Sequence, residues 1–433
     1  MRERVKRVWT GRLGIWIVLL LALAIRLETI HRYGLGLNLH SDDQGYTNSA
    51  IWLLQRGVYG FYTPHHSTLH MMPGITILLA GVFFVFGTGV HGIYAAKIVM
   101  SIIGVIGIFG IYLVGSKVFS KPVGLIAALL AAVYIPGVET DTLLLTESPF
   151  FVSSTFFFYF ILRAGEEHRA RFLYYGTIFY VLGIYFRPTI AAYPIVALVY
   201  LLMKRYPVGR LMKQAGVVAL LIVALMSPWW IRNAMTFHHF VPLTDGTGNP
   251  LLLGTFQGHG YPAPATADQE IKFLKQLHPE LRPTKDHEVA WFALQTQVAK
   301  QRMVEWLRSN PRSFFDSFLL IKPRFLWYRA YYPIEIYRLK TALMWNVQHT
   351  LVNLSLLGYL IALLFGRKRR LEVTLILVTF AYYTALYCLY FAYARYAEPS
   401  MPLMLMGIPA GLWGLWMLGR RLTSRNRQAA ATE

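Results

Sequence analysis

Long apolar runs fill most of the sequence, and short clusters of lysine and arginine separate them. A helix needs about 20 residues to cross the roughly 30 Å hydrocarbon core of a membrane. Apolar runs of about this length, several of them shorter, predict an all-α polytopic membrane protein with about ten spans. The predicted spans are residues 13–30, 90–114, 122–136, 149–162, 172–186, 189–203, 216–230, 342–365, 371–391 and 401–418.

One further apolar run, residues 71–86, is ambiguous, and it decides on which side of the membrane the rest of the chain lies. If it does not cross, every basic cluster falls on the cytoplasmic face, as the positive-inside rule requires. We therefore interpret it as an interfacial or re-entrant helix, which indicates a covered cavity, and expect both termini in the cytoplasm. The clusters are residues 2–12, 117–121, 163–171, 204–213, 367–370 and 420–427.

Composition supports a membrane protein and argues against a nucleic-acid partner. Hydrophobic residues make up 55% of the 433 residues and charged residues 15%, whereas roughly a quarter of a soluble domain is charged. The net charge of +21 raises the question of nucleic acid, but the basic residues lie in the segments between spans. The expected contacts are therefore membrane lipids. The first apolar run has no small-residue cleavage site and predicts an uncleaved span.

Three parts follow along the chain. Residues 1–230 form an N-terminal transmembrane module whose first outer loop is residues 31–89. Residues 231–341 form an outer-face cap: residues 286–310 have helical periodicity, and the aromatic-rich stretch after them predicts a helix at the membrane surface. Residues 342–433 hold the C-terminal spans and a basic cytoplasmic tail.

Acidic residues are scarce, 21 in all, and two of them, Asp42 and Asp43, are adjacent just after the first span. Loops near membranes often carry acids, which is the plain interpretation. The functional interpretation, which we favour, is that one faces a cavity as a general base while the other caps a helix beginning near Gln44.

Glu147 stands immediately before a span, where burying a charge is costly without a partner. It is a candidate site residue, although Thr146 or Glu147 acting as a helix cap explains the pattern nearly as well. Glu139 and Asp141, just upstream, are expected to be solvated.

Single arginines mark the outer ends of three spans, at Arg187, Arg232 and Arg395. Snorkelling to lipid headgroups is one explanation. Three such cations together favour an anionic ligand, and phosphate is the natural bidentate partner of a guanidinium. We therefore predict a phosphate site on the outer face.

His65, His66 and His70 lie close enough in sequence to suggest a metal site. No third ligand of fixed spacing accompanies them, so loop histidines are the favoured interpretation, and no metal ligand is predicted.

Several short motifs occur in an order that resembles the GT-C superfamily of glycosyltransferases, in the branch of protein O-mannosyltransferases and lipid A aminoarabinose transferases. The motifs run from about residue 10 to residue 420. They are AIRLE, DDQGYTNSAIWLLQRGVYG, MMPGITILLAGVFFVFG, LLTESPF, YFRPT, SPWWIRNAMTF and ARYAEPSMP. The last four stand where that branch has its second acid, its inter-span arginine, its proline-tryptophan-arginine-asparagine motif and its terminal arginine-tyrosine-proline motif.

The resemblance implies an enzyme that moves a sugar from a polyprenyl-phosphate carrier to a glycan, lipid or protein acceptor on the outer face of the cell membrane, which we expect to be a bacterial plasma membrane. It implies inversion, a base, and cations for the departing phosphate. No cofactor is required, and a divalent metal is left open. The implied residues are catalytic Asp42, Asp43 and Glu147, phosphate-binding Arg187, Arg232 and Arg395, and substrate-binding Tyr46, Asn233 and Tyr396.

Departures from the family pattern leave sugar and acceptor open. The family acid pair is usually Asp-Glu and here is Asp42-Asp43, the second acid is often Asp and here is Glu147, and the paired prolines are Met72-Pro73. Two alternatives remain: a GT-C ligase that uses a polyprenyl-diphosphate-linked glycan, and a lipid transporter or flippase. The second would show paired interrupted spans with charges near mid-membrane, a pattern that the sequence lacks.

Overall fold

The computed structural model describes residues 12–261, 266–278 and 288–429, and within these residues every regular element is a helix. The predicted all-α fold class is therefore confirmed. The N-terminal helices are α1 Arg12–Tyr33, α2 Asp42–Arg56, α3 Gly74–Phe86, α4 Val90–Val118, α5 Lys121–Val133, α6 Ile135–Thr140, α7 Glu147–Glu167, α8 Ala170–Phe186, α9 Pro194–Met203 and α10 Val208–Phe237.

The second half of the chain holds the cap and the last spans. A π-helical turn, Ser317–Ile321, joins two short helices of the cap. The helices are α11 Gly248–Gly254, α12 Ala267–Leu277, α13 Glu288–Ser309, α14 Pro311–Asp316, α15 Lys322–Trp327, α16 Thr341–Phe365, α17 Arg370–Leu389, α18 Ala394–Ala397, α19 Met401–Leu405 and α20 Gly407–Ala429.

Every predicted span overlaps at least one helix, and six helical segments in the described part of the chain are long and apolar enough to cross a membrane. The other predicted spans form shorter or less apolar helices, α5, α7, α8 and α9, so the count of ten stays a prediction. The six are Leu13–Gly36, Val90–Val118, Val208–Phe237, Thr341–Phe365, Arg367–Leu389 and Ala394–Thr423.

Ion pairs tie helices together at one end of the bundle, which we call the basic end. Glu166 accepts from Lys117 at 2.7 Å and from Arg369 at 2.5 Å, and Lys204 pairs with Glu372. These residues lie in or next to four of the six basic clusters that the charge pattern assigned to one face, and the structure brings those four together. The cluster at residues 2–12 lies, except for Arg12, outside the described residues. Which face is cytoplasmic stays a prediction.

Helix α3 covers most of the ambiguous run, residues 71–86, and its contacts show where its two ends lie in the bundle. Its 13 residues measure about 20 Å, short of the roughly 30 Å hydrocarbon core. Its first residue, Gly74, packs against the backbone of Tyr185 near the end of α8, and α4 begins only four residues after α3 ends, with Tyr94 against Gly34 just past α1. Both ends of α3 thus lie at the bundle end opposite the basic end, as predicted for an interfacial or re-entrant helix.

Small residues let the last spans approach closely. Gly358 on α16 faces Gly407 and Gly411 on α20, and a Cβ atom on any of the three would overlap backbone of the other helix. Close backbone approach through small residues is how membrane helices gain van der Waals contact, since lipid removes the hydrophobic drive between them. This close contact packs α20 directly against α16.

The cap has a small core of its own, built from α11, α12 and α13. The segment after it, residues 311–327, exposes Phe315, Leu319 and Leu320. Such an exposed apolar face beside aromatic residues is typical of a helix lying in the membrane surface, in agreement with the sequence pattern. The core side chains are Leu252, Leu274, Trp291, Phe292 and Ala299.

Candidate active site

The centre of the site is Glu147, the first residue of α7, whose carboxylate is held by two arginines. Its Oε1 accepts from Arg187 Nη2 at 2.6 Å and also from Arg395 Nε, and its Oε2 lies 3.4 Å from Arg395 Nη2. The Glu147 side chain is 1% exposed. A buried carboxylate must be paired, and here one carboxylate serves two cations. The residue before α7, Thr146, makes no side-chain hydrogen bond that caps the helix, so the interpretation of Thr146 or Glu147 as a helix cap is wrong.

Arg395 also binds Asp42. Its Nη1 donates to Asp42 Oδ2 at 2.6 Å, and the two side chains are 7% and 44% exposed respectively. Asp42 is thus the acid of the site that reaches solvent. The cluster Asp42, Glu147, Arg187 and Arg395, which we call the charge cluster, carries two positive and two negative charges.

Local sequence explains how these side chains come to one place. Pro188 ends α8 at Phe186, so Arg187 leaves the helix in extended backbone. Arg395 follows a non-helical stretch, residues 391–393, between α17 and α18. Arg187 is 8% exposed and turns inward onto Glu147, so the snorkelling explanation is wrong for this residue.

Asp43 has a different environment from its neighbour. It is 4% exposed, and its carboxylate accepts from the backbone N–H of Leu39 at 2.7 Å, of Ser41 at 3.2 Å and of Gln44 at 2.9 Å. These bonds hold the turn that precedes α2. The two roles expected of the acid pair are therefore divided: Asp43 holds the start of α2, and Asp42 faces the charge cluster.

Two predicted substrate residues lie beside the charge cluster. The Arg187 guanidinium stands over the ring of Tyr396 at 5.2 Å, and Tyr331 faces Arg395 at 6.0 Å. Tyr46 is 9% exposed and packs on Phe61 at 5.8 Å, and burial raises the pKa of its phenol. The cluster is thus walled by aromatic rings.

Arg232 and Asn233 have other contacts. Arg232 Nη1 donates to the carbonyl of Thr68 and to Asn233 Oδ1, both at 3.0 Å, and its guanidinium lies 5.0 Å from the Tyr59 ring. Asn233 is fully buried and donates to the carbonyl of Val241 at 3.0 Å. These contacts tie the first loop to the end of α10. Asn233 therefore supports the loops, and the structure does not bring Arg232 into the charge cluster.

The prediction that Glu139 and Asp141 are solvated is wrong. Asp141 is 6% exposed and binds Arg26, with Nε at 2.8 Å and Nη2 at 2.7 Å from its Oδ2. Gly104 makes room for this carboxylate, because a Cβ there would overlap it. Glu139 is fully buried, and burial raises its pKa to about 9. The sequence signal that could have found the pair is Arg26, a charge inside an apolar run.

A small cavity lies behind Glu147. Arg26, Asp141, Tyr134 and Glu398 line it together with Glu147. Tyr134 donates to Gln348 Oε1 at 2.8 Å, and Glu398 Oε2 lies 3.5 Å from the same hydroxyl. The charge cluster thus rests on further buried polar groups.

The three histidines do not form a metal site. His65 and His66 have ring centroids 6.4 Å apart, whereas His70 stacks on Phe292 of the cap at 5.5 Å. Burial lowers the pKa of His70 to about 4, so its imidazole is neutral. Throughout the described ranges, no group of three or more His, Cys, Asp or Glu side chains is placed to hold a metal ion.

The geometry defines what the charge cluster can do. A half-exposed carboxylate beside two guanidiniums offers a proton acceptor next to donors suited to a phosphate or another oxyanion. Arg187 Nη1 is buried and finds no hydrogen-bond partner among the described residues. An arginine N–H without a partner is a donor that an anionic ligand can use.

Comparison with known proteins agrees with this architecture. Residues 70–231 match the family described as dolichyl-phosphate-mannose-protein mannosyltransferase. This segment includes Glu147 and Arg187, two members of the charge cluster. No curated protein sequence matches the chain.

Among solved structures, the apo oligosaccharyltransferase of Archaeoglobus fulgidus is similar with a TM-score of 0.55 at 14% identity, over 98% of this chain and 53% of that one. The oligosaccharyltransferase AglB of the same organism, in complex with an inhibitory peptide and a dolichol-phosphate, gives 0.53 at 16% identity, over 98% and 52%. ArnT from Cupriavidus metallidurans, bound to undecaprenyl phosphate, gives 0.44 at 12% identity, over 95% and 79%.

The chain spans about half the length of the oligosaccharyltransferase chains, and at these identities the likeness shows the fold. That fold and the match over residues 70–231 confirm the predicted resemblance to the GT-C superfamily.

Proposed function

We propose that the protein transfers a sugar from a polyprenyl-phosphate carrier to an acceptor on the outer face of the membrane, with Asp42 as the general base and Arg187 and Arg395 as the phosphate ligands. The observation that carries this proposal is the charge cluster. Four residues from four distant parts of the chain meet at one buried point, and only Asp42 among them is substantially exposed.

The reaction is a displacement at the anomeric carbon. The acceptor oxygen forms a bond to that carbon, the bond from the carbon to the phosphate oxygen breaks, and its electron pair leaves with the phosphate. Asp42 takes the acceptor proton. Attack opposite the leaving group in a single step inverts the anomeric configuration.

The charges of the cluster suit this step. The phosphodiester of the donor carries one negative charge, and the departing monophosphate carries a second. As Asp42 gains the proton it loses its charge, so its attraction for Arg395 weakens. Arg395 can then stabilise the phosphate at the moment when negative charge develops there, and cations that are already in place do so without reorganising.

The surroundings of Arg187 and Arg395 also support the proposal. Both guanidiniums are nearly excluded from water, and charges interact more strongly where water is absent. Tyr46, Tyr331 and Tyr396 surround them with rings, surfaces on which a sugar or an isoprenoid chain packs. Glu147 remains bound to both arginines and holds their positions.

The descriptions of similar proteins support the same class of donor. The matched family is described by dolichyl-phosphate-mannose, and the AglB structure holds a dolichol-phosphate. A polyprenyl phosphate is the common element of these descriptions. The sugar and the acceptor are not defined by the charge cluster.

The test is mass spectrometry of the lipid that copurifies with the protein, followed by a transfer assay. We expect a polyprenyl phosphate or its sugar conjugate bound to the wild-type protein and consumed on addition of an acceptor extract, with Arg395→Gln losing both. A copurified polyprenyl-diphosphate glycan would instead indicate a ligase. Binding of neither lipid, with no transfer, would refute the proposal.

A further inference from the structure

The segment that carries Arg395 is held from the cap. Between the end of α17 at Leu389 and the start of α18 at Ala394, the backbone is not helical. Ala392 in this segment is 2% exposed, so its N–H and C=O groups have no access to water. Buried backbone groups must find partners within the protein.

Gln257, in the cap, supplies both partners. Its Nε2 donates to the carbonyl of Ala392 at 2.8 Å, and its Oε1 accepts from the N–H of Ala392 at 2.7 Å. The amide side chain thus pairs with one residue's backbone as a neighbouring strand would. Arg395 follows only three residues later.

Lys322 holds the same segment one step earlier. Its buried ammonium donates to the carbonyl of Cys388 at 2.9 Å and to that of Tyr390 at 3.3 Å. Gly254, just before Gln257, packs directly on the carbonyl of Tyr390, where a Cβ would clash. The cap therefore contacts residues 388–392 at three points, through Gln257, Lys322 and Gly254. We call this set of contacts the grip.

From this grip we propose that Gln257 is a positioning residue: by pairing with the backbone of Ala392 it sets where the Arg395 guanidinium stands relative to the donor phosphate. The grip itself rests on the contacts of Gln257. Its effect on transfer from the lipid donor rests on the proposed function. Glu147 and Asp42 fix the head of Arg395, and Gln257 fixes its backbone. A misplacement of about 1 Å at a reacting group can cost about 10²-fold in rate.

The chemistry of the amide gives a sharp test, the variant Gln257→Glu. A carboxylate accepts from the Ala392 N–H but sets its second oxygen against the Ala392 carbonyl, whereas the protonated acid donates and accepts as the amide does. We expect kcat/KM of the variant for the lipid donor to lie about tenfold below wild type at pH 8, the worth of a typical hydrogen bond, and this deficit to shrink as the pH is lowered toward the pKa of the carboxyl.

Two controls accompany it. Gln276→Glu adds the same charge to an exposed position of α12, and its ratio to wild type should stay flat with pH. The pKa of Lys322, which holds the same segment, is lowered to about 7 by burial, and wild type and Gln276→Glu measured over the same pH range report the effect of its own titration. Gln257→Ala should raise the KM for the donor and lower kcat at every pH.

Hydrogen exchange of the peptide covering residues 390–397 tests the grip without any activity. We expect fast exchange in Gln257→Ala and slow exchange in wild type and Gln276→Glu. Unchanged exchange in Gln257→Ala would overturn the grip, and fast exchange with wild-type kinetics would overturn the positioning role. A wild-type protein that transfers nothing from the lipid donor would instead refute the proposed function, while the exchange result still decides on the grip.

Discussion

Arg187 and Arg395 donate to the same oxygen, Oε1 of Glu147. One buried carboxylate therefore serves as the shared anion of two guanidiniums, and the remaining positive charge of the pair faces Asp42, whose side chain is 44% exposed. The two acids thus have different tasks. Glu147 is fixed by the protein on all sides, whereas Asp42 sits where an incoming substrate can reach it.

The first prediction concerns that shared carboxylate. Glu147→Gln keeps the shape of the side chain but leaves two buried guanidiniums with one anion between them. Breaking a buried ion pair by removing one partner costs about 3–5 kcal/mol, so we expect a clear fall in the free energy of unfolding together with loss of transfer. Thermal unfolding of the detergent-solubilised protein measures the first effect.

Glu28→Gln is the matched control. Glu28 pairs with Arg32 on the surface, with side chains 45% and 58% exposed, and exposed pairs contribute little. Its unfolding temperature should stay at the wild-type value. Equal stability of Glu147→Gln and wild type would mean that the arginines do not depend on Glu147.

The second prediction separates the adjacent acids. Asp42→Asn removes the proposed base without disturbing Glu147, so kcat should fall by about 10²-fold or more while the unfolding temperature and lipid binding persist. Asp43→Asn should instead lower the unfolding temperature and leave the base in place. Asn offers one acceptor oxygen for the three backbone N–H groups that Asp43 serves, so stability should fall. Near-normal turnover of Asp42→Asn would exclude it as the base.

Sequence reasoning found the members of the charge cluster because isolated charges at span ends are rare. Glu147, Arg187 and Arg395 each stand at the end of an apolar run, and Asp42 belongs to an acid pair just after the first span. The same rule selected Arg232, which differs only in its surroundings: Tyr59, Trp229 and the Thr68 carbonyl occupy its guanidinium. Such contacts depend on how distant loops pack, and no local pattern encodes them.

The buried acids show a second limit. Asp141 and Glu139 follow a helix-breaking proline, a pattern typical of an exposed loop, yet protein covers this loop. Asp141 is buried because Arg26 and Gly104 from two other helices meet it. The grip of Gln257 on Ala392 is equally non-local, since 135 residues separate them. The fold class came from hydropathy alone, whereas these contacts need the assembled bundle.

The third prediction tests the orientation in the membrane. In a Cys388→Ala background, a cysteine at the exposed position Lys121 should react with a membrane-impermeant thiol reagent only from the cytoplasmic side, because Lys121 lies at the basic end. A cysteine at Lys340, whose side chain is 77% exposed near the opposite end, should react only from outside. Labelling in the reverse sense would place the charge cluster on the cytoplasmic face.

The fourth prediction concerns Glu139, whose pKa is raised to about 9 by burial, with one oxygen accepting from the Ile334 N–H at 2.8 Å. Between its unfolded pKa near 4.5 and this value, the folded protein binds one more proton, so raising the pH favours unfolding by about 1.4 kcal/mol per unit. Glu139→Gln cannot titrate. We therefore expect its unfolding temperature to exceed that of wild type by a margin that grows from about pH 6 to about pH 8.

Glu335→Gln is the control. Glu335 is an exposed acid whose pKa is lowered by its bonds to Lys340 and Thr341, so this variant should show no such growth. A constant margin for Glu139→Gln would mean that Glu139 is ionised in the folded protein.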